Sequence, residues 1–281
     1  MINYNGKIQP LHQVSLSVFN RGFAYGDAVF ETLRISSGKI LFWEDHYFRL
    51  MSSMRILRMD IPMNFTMEYL QDQILETSRQ TYSDSSAVRV KLTVFRNEGG
   101  FYTPQDNTVS FIISAQPLDA DFYILNTNTC EIELFKDHFV LSGLLSTLKT
   151  NNKLPNILAG IYAKENGYEN CLLLNESKMV VEALNGNLFL VSGKTIKTPP
   201  LTDGCLRGVL RKQLIEILKQ LPQYTFEEAS ISPFELQKAD ELFITNVISG
   251  IQPVTKYRKK VYENEVAKDL LTKLNVKIRL S

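Results

Sequence analysis

The stretch Arg21-Gly22-Phe23-Ala24-Tyr25-Gly26-Asp27-Ala28-Val29-Phe30-Glu31-Thr32-Leu33-Arg34 is dense in reactive groups. Its glycines permit close turns, and the strand that follows sets aromatic, acidic, hydroxyl and basic side chains side by side. Further on, His46 and Arg49 stand three apart on one helical face, which on its own reads as a solvated helix edge. From Ala87 to Arg96 the types alternate: Val88, Val90, Leu92 and Val94 on one side, Arg89, Lys91, Thr93 and Phe95 on the other. The polar side can line a cleft and offer cations to a carboxylate. Gly208 opens a strongly amphipathic segment, and the free N–H groups of a helix start make a seat for an anion. Ser192-Gly193-Lys194-Thr195 ends like a phosphate-binding loop, but Leu188 stands where that loop needs a glycine. A tight turn between two strands accounts for Gly193.

Several classes of function fall away on composition. The 281 residues carry 31 basic and 30 acidic side chains, a formal charge of +1, so no net field gathers a polyanion and a nucleic-acid role is disfavoured. Three cysteines (Cys130, Cys171, Cys205), widely spaced, make neither a disulfide framework nor a zinc pattern, and the three histidines form no metalloprotease motif. No apolar run is long enough to span a bilayer, and the opening residues lack the apolar core of a signal peptide. The expectation is a cytoplasmic protein with no membrane partner and no metal.

The elements that must position these groups are mixed. A strand is expected over Val29 to Ile35, with Lys39 to Trp43 returning as its hairpin partner. A helix then places Tyr47, Leu50, Met51, Met54 and Leu57 on one face, and a second runs from Thr66 to Arg79. Strands follow at Ala87 to Arg96 and Thr108 to Ala115. Pro117-Leu118-Asp119-Ala120 reads as a linker, dividing a smaller domain, 1–117, from a larger one, 118–281. In the latter, Pro155 opens a helix to about Glu165. Short strands fit Cys171–Leu174, Lys178–Glu182, Asn187–Val191 and Leu242–Thr245. Helices are expected from Gly208 to Leu221, from Pro233, and around Ala267 to Leu274. Without regular βαβα alternation the class is α+β, or mixed α/β, rather than a doubly wound sheet.

The segment RGFAYGDAVFETLR followed by His46-x-x-Arg49-Leu50 resembles the opening signature of the fold-type IV pyridoxal phosphate enzymes, the class IV aminotransferase family. That resemblance implies a two-domain architecture like that of D-amino-acid aminotransferase, with the cofactor in the interdomain cleft, and a homodimer. It also implies roles. Leu148-Lys149-Thr150-Asn151-Asn152 is similar to the family's lysine segment, making Lys149 the catalytic lysine that bonds covalently to pyridoxal 5'-phosphate. Glu182 and Asn187 match the family's Glu-x4-Asn pattern, with Glu182 set to hold the pyridine nitrogen protonated. Thr198-Pro199-Pro200-Leu201 and Arg207-Gly208-Val209-Leu210 resemble the phosphate seat. A threonine is common at the position of Leu210, so the amides of Val209 and Leu210 would act instead. Arg49 is similar to the phosphate-binding arginine, and Val247 and Ile248 fall in the last phosphate loop, with backbone donors only.

Within the family the residues discriminate less. The Gly-Gly-Asn-Tyr of branched-chain aminotransferases is Asn151-Asn152-Lys153-Leu154 here. The D-amino-acid carboxylate trap keeps its first arginine as Arg96, but Phe101 and Thr103 replace its second arginine and histidine. Arg96-Asn97-Glu98-Gly99-Gly100-Phe101-Tyr102 resembles the aminodeoxychorismate lyase motif with Phe101 in place of an arginine, and Thr32 matches a threonine of that lyase. By elimination 4-amino-4-deoxychorismate lyase ranks first, releasing pyruvate and leaving 4-aminobenzoate. The alternative is a branched-chain or D-amino-acid transaminase using 2-oxoglutarate. Candidate substrate contacts are Phe30, Thr32, Arg34, Arg89, Lys91 and Arg96.

Overall fold

The computed structural model describes residues 1–83 and 85–280. The chain divides into two units: Met1–Phe122 with Lys149–Asn152, and Tyr123–Leu148 with Lys153–Ser281. This division differs from a single cut at 117/118. The sixth strand runs through Pro117, so the expected linker is in part sheet, and Lys149 belongs to the first unit.

In the first unit the elements are β1 (Ile2–Tyr4), β2 (Lys7–Gln9), α1 (Arg21–Ala24), β3 (Ala28–Ser36), β4 (Lys39–Ile40), α2 (Trp43–Ile56), α3 (Met67–Thr81), β5 (Ala87–Arg96) and β6 (Val109–Pro117). The strands form one antiparallel sheet in the order β2-β1-β6-β5-β3-β4. Alternation in β5 decides which face is buried. Val88, Val90, Leu92 and Val94 pack with Leu50, Met51 and Met54 of α2 and Leu70 and Ile74 of α3 in one core. Thr66 caps α3 by accepting from Tyr69 N at 3.1 Å. The hairpin partner of β3 is shorter than expected: only Lys39 and Ile40 pair, Phe42 turns left-handed (φ 55°), and Trp43 begins α2.

The second unit contains β7 (Glu131–Val140), α4 (Leu154–Glu165), β8 (Asn170–Asn175), β9 (Val180–Ala183), β10 (Asn187–Ser192), β11 (Thr195–Thr198), α5 (Val209–Leu218), β12 (Thr225–Glu228), α6 (Pro233–Leu236), β13 (Glu241–Asn246), β14 (Gly250–Val254), β15 (Lys256–Tyr257), β16 (Lys260–Val261) and α7 (Glu265–Leu280). Two five-stranded sheets result, β12-β11-β10-β13-β14 and β16-β15-β7-β8-β9. Parallel pairs, β7 with β8 and β11 with β12, sit among antiparallel ones, so each sheet is mixed. Buried side chains of both sheets, Leu134, Leu172, Leu188 and Leu242 among them, form one cluster. The Ser192-Gly193-Lys194-Thr195 segment is the turn joining β10 to β11. Among the described residues no helix is long and apolar enough to cross a membrane.

Leu92 is fully buried at the centre of β5. Truncating a buried leucine costs about 2–5 kcal/mol. Leu92→Ala is therefore expected to lower unfolding free energy by that amount in urea titration, and a loss below about 1 kcal/mol would contradict the assigned core face.

Candidate active site

Lys149 lies where the chain adds to the free edge of β3. Phe30 N donates to the Lys149 carbonyl at 2.8 Å, Asn151 N donates to the Ala28 carbonyl at 3.1 Å, and Val29 bridges Thr150. This pairing carries the Lys149 amine to 4.6 Å from the centre of the Phe30 ring, and the Lys91 amine also lies 4.6 Å from it. Thr32 stands opposite Lys91 and Arg34 opposite Arg89, so these four share one face of the sheet with Phe30. Partial burial, and then the charge of Arg89, push the Lys91 ammonium below its ordinary value. Opposed guanidiniums repel, and each takes a neutral oxygen. Arg34 is buried and donates to the Ala120 carbonyl, while Arg89 donates to Gln116 Oε1 at 3.1 Å. Arg34 is thus committed to the main chain, leaving Lys91 and Arg89 as the better placed of the expected carboxylate partners.

Arg96 requires a correction. It is buried, and all three of its guanidinium nitrogens already donate inside the fold: Nε to Asp27 Oδ2 at 2.9 Å, one terminal nitrogen to the Arg58 carbonyl at 3.1 Å and to Asn107, the other to the Leu57 carbonyl at 2.7 Å. Arg21 shares the same Asp27 oxygen at 3.0 Å and also donates to the carbonyls of Gly99 and Phe101. The arginine common to both substrate motifs is here a structural clamp on the backbone. Asp27, which holds both arginines, was not singled out in the sequence.

His46 and Arg49 are not a solvated edge. Glu31 points to the core side of β3, almost wholly buried, and accepts from Arg49 Nε at 2.8 Å, from a second Arg49 nitrogen, and from His46 Nδ1 at 2.7 Å. Burial pushes the Glu31 carboxyl up, but the Arg49 charge and the hydrogen bonds of Arg49 and His46 outweigh it and bring the group down to about 2. Burial lowers His46 further than the Glu31 contact raises it, so the imidazole is neutral with Nδ1 as its donor. An acid between Val29 and Leu33, at an apolar position of an alternating strand, was the available signal for this cluster.

The second unit contributes a different set. Glu182, on β9, is buried and accepts from Leu206 N at 2.8 Å. Asn187 donates to the Leu206 carbonyl at 2.9 Å, fixing the turn into α5. A Cβ on Gly208 would fall 2.0 Å from Asn187 Oδ1, so this close approach requires glycine. Val209 and Leu210 are the first residues of α5, and the amides of a first helical turn have no intrahelical partner. In the last loop the expected donor at Ile248 must be corrected: its amide already donates to Asn246 Oδ1 at 3.0 Å. Beside it, Val247 is held through its carbonyl, which accepts from Tyr123 OH at 2.6 Å. Gly250 (φ 74°) follows, where a Cβ would strike the Tyr123 ring at 2.6 Å. Tyr123 had no sequence signal.

Each unit by itself holds groups of a kind that pyridoxal phosphate uses: a lysine amine in the first, and the amides of a helix start and a buried carboxylate in the second. Other chemistries find less. All three cysteines are buried and free, and burial pushes Cys130 and Cys171 up to about 11 and Cys205 to about 12, so none is a ready nucleophile. Among the described residues no group of three or more His, Cys, Asp or Glu is placed to hold a metal.

Glu31 yields a pH prediction. A carboxyl lowered on folding stabilises the protein above its unfolded value, and that contribution is lost as pH falls through the folded one. From 4.5 to about 2 this amounts to roughly 3 kcal/mol at about 1.36 kcal/mol per pH unit. The stability gap between wild type and Glu31→Gln should be widest near neutrality and close as pH falls from 4.5 towards 2. A gap independent of pH, in denaturant titrations across that range, would refute the ionised cluster.

Comparison with known proteins agrees with the donor chemistry. Residues 28–257 match the family model described as amino-transferase class IV. Over 278 residues the chain is 29% identical to a Methanocaldococcus jannaschii protein bearing the name branched-chain-amino-acid aminotransferase, covering 99% of this chain and 95% of that one. The crystal structure of 4-amino-4-deoxychorismate lyase from Pseudomonas aeruginosa superposes with a TM-score of 0.83 at 27% identity, covering 99% of each chain. The branched-chain amino acid aminotransferase of Escherichia coli gives a TM-score of 0.88 at 22% identity, covering 99% and 94%, which speaks to fold alone. With the family model spanning most of its length, the chain belongs to the class IV aminotransferases and is a pyridoxal-phosphate-dependent aminotransferase or lyase.

Proposed function

We propose that this enzyme is a 4-amino-4-deoxychorismate lyase, with Lys149 as its covalent lysine. The observation that carries the reading is the half-buried polar face of β3 and β5. Thr32, Arg89 and Lys91 present hydroxyl and cationic groups beside Phe30 and the Lys149 amine, a lining suited to a substrate with two carboxylates rather than a branched aliphatic side chain. In this reading Arg49, held in place by Glu31, and the amides of Val209 and Leu210 bind the cofactor phosphate. Glu182 keeps the pyridine nitrogen protonated, and Asn187 and Gly208 shape the turn into α5. Bound pyridoxal phosphate supplies an electron sink. Lys149 takes the proton from the amine-bearing carbon of the substrate. Lys91 and Arg89 hold its carboxylates while the electron pair left by that proton expels the enolpyruvyl oxygen, the substrate ring becomes aromatic, and the departing enolpyruvate takes a proton at its methylene carbon to leave as pyruvate. Leu154 stands where branched-chain enzymes have tyrosine, and it is exposed on α4.

Transamination of amino acids with 2-oxoglutarate is the second reading, supported by the similarity to the M. jannaschii protein. Incubation with aminodeoxychorismate, and separately with L-leucine or D-alanine plus 2-oxoglutarate, distinguishes them. Pyruvate and 4-aminobenzoate are expected from the first, and keto acid alone from the others would favour the second. Borohydride reduction and peptide mapping should place the pyridoxyl adduct on Lys149. An adduct on Lys153, the residue preceding α4, would contradict the assignment. Lys91→Gln should raise KM for the true substrate by about tenfold or more, the loss of one charge-assisted contact. Arg96→Gln should lower thermal stability, and a normal Tm with a raised KM would return Arg96 to the substrate site.

A homodimer is part of the same proposal. Leu154, Ile157, Leu158 and Ile161 recur at helical spacing along α4 and are 70%, 55%, 39% and 48% exposed, an apolar stripe suited to burial against a second chain. Sedimentation should give the mass of two chains, and Ile157→Glu with Ile161→Glu should shift it towards one. A wild-type monomer at micromolar concentration would refute the dimer.

A further inference from the structure

A groove of about 610 Å³ in the second unit contains none of the residues assigned above. Its size lies within the range of small-molecule sites. Leu134, Leu174 and Tyr257 make the floor, and all three are buried members of the unit's core. Phe139 and Phe234 stand above it, 39% and 77% exposed, large apolar surfaces left to water. The rim differs from the floor in kind. Lys136, Lys178 and Arg258 line it, and among its lining residues there is no carboxylate. Arg258 is fastened by Glu133, Nε to Oε2 at 3.1 Å, and lies over the Tyr257 ring at 4.9 Å. Lys136 and Lys178 are exposed and reach the groove from two different segments, β7 and the turn between β8 and β9.

We propose that this groove is a second binding site, for a small carboxylate with an aliphatic or aromatic body. Charge complementarity selects the ligand. The apolar floor takes the body, and the cations carried by β7 and by the turn between β8 and β9 take the single anionic end, whereas an ammonium meets like charge and a neutral head finds only the uncharged groups of Ser177, Ser232 and Gln237. The volume suits one such molecule. Because the floor is shared with the core, occupancy stabilises the unit as well as filling the groove.

Octanoate is the probe, titrated calorimetrically into the enzyme loaded with pyridoxal phosphate, with octylammonium and octanol as controls. One octanoate per chain is expected, with octylammonium silent and octanol at least tenfold weaker. Lys136→Gln combined with Lys178→Gln should weaken octanoate about tenfold, and Phe234→Glu should abolish binding. All three positions are exposed, so the variants should fold as wild type. Four results would overturn the proposal: no octanoate binding at millimolar concentration, equal binding of octylammonium, variants with unchanged affinity, or a change in sedimenting mass in Phe234→Glu, which would make the groove a contact between chains.

Discussion

Three residues of main chain, Lys149 to Asn151, set where the Lys149 amine lies in the first unit. They arrive from far along the sequence and complete the open edge of β3 with ordinary backbone hydrogen bonds. A lysine has four rotatable carbons and considerable rotamer entropy. Tying its backbone to the strand fixes where that side chain starts, and the amine lies 4.6 Å from the centre of the Phe30 ring. Sheet register then places Thr32, Lys91 and Arg89 at two-residue intervals from Phe30, so positional accuracy comes from the pleat rather than from loops.

The other side of the same strand shows how a charge survives in a core. Glu31 sits among Val29, Leu33 and Leu92, where a lone carboxylate would cost several kcal/mol. A bidentate arginine and a neutral imidazole donor satisfy it. This fixes the direction of the Arg49 guanidinium and the tautomer of His46 together. His46 Nε2, buried without a hydrogen-bond partner among the described residues, is the residual cost of that arrangement.

Elements with strong periodicity were legible in the sequence: β3, β5, α2, α3 and α5 lie within a few residues of expectation because burial on one face dictates their pattern. β7 was not. Glu131–Val140 mixes exposed Lys136, Asp137 and His138 into its second half, and its register with β8 slips between Phe135 and Val140. Its pairing is a tertiary fact that local pattern does not encode. The candidate site divides similarly. Lys149, Glu182 and Gly208 were marked by motif and spacing. Asp27 and Tyr123 act through partners that no motif announces, Arg21 and Arg96 for the one and Val247 for the other, and Arg96 showed its motif but not its neighbours. A motif identifies a residue type at a position, and the fold decides whether its hydrogens point to a ligand or to the backbone.

The clamp formed by Arg21 and Arg96 separates the path of one loop from its side chains. The loop after β5 is gripped by its carbonyls: Arg21 holds those of Gly99 and Phe101, while Arg96 holds Asn107 through its side-chain oxygen. Phe101, within that loop, is 82% exposed, whereas the Tyr102 ring lies 5.8 Å from that of Tyr25. At position 101 shape and side-chain identity are thereby uncoupled. The path of the loop is held by main-chain contacts that do not involve the Phe101 side chain, so the identity of residue 101 is not what sets it.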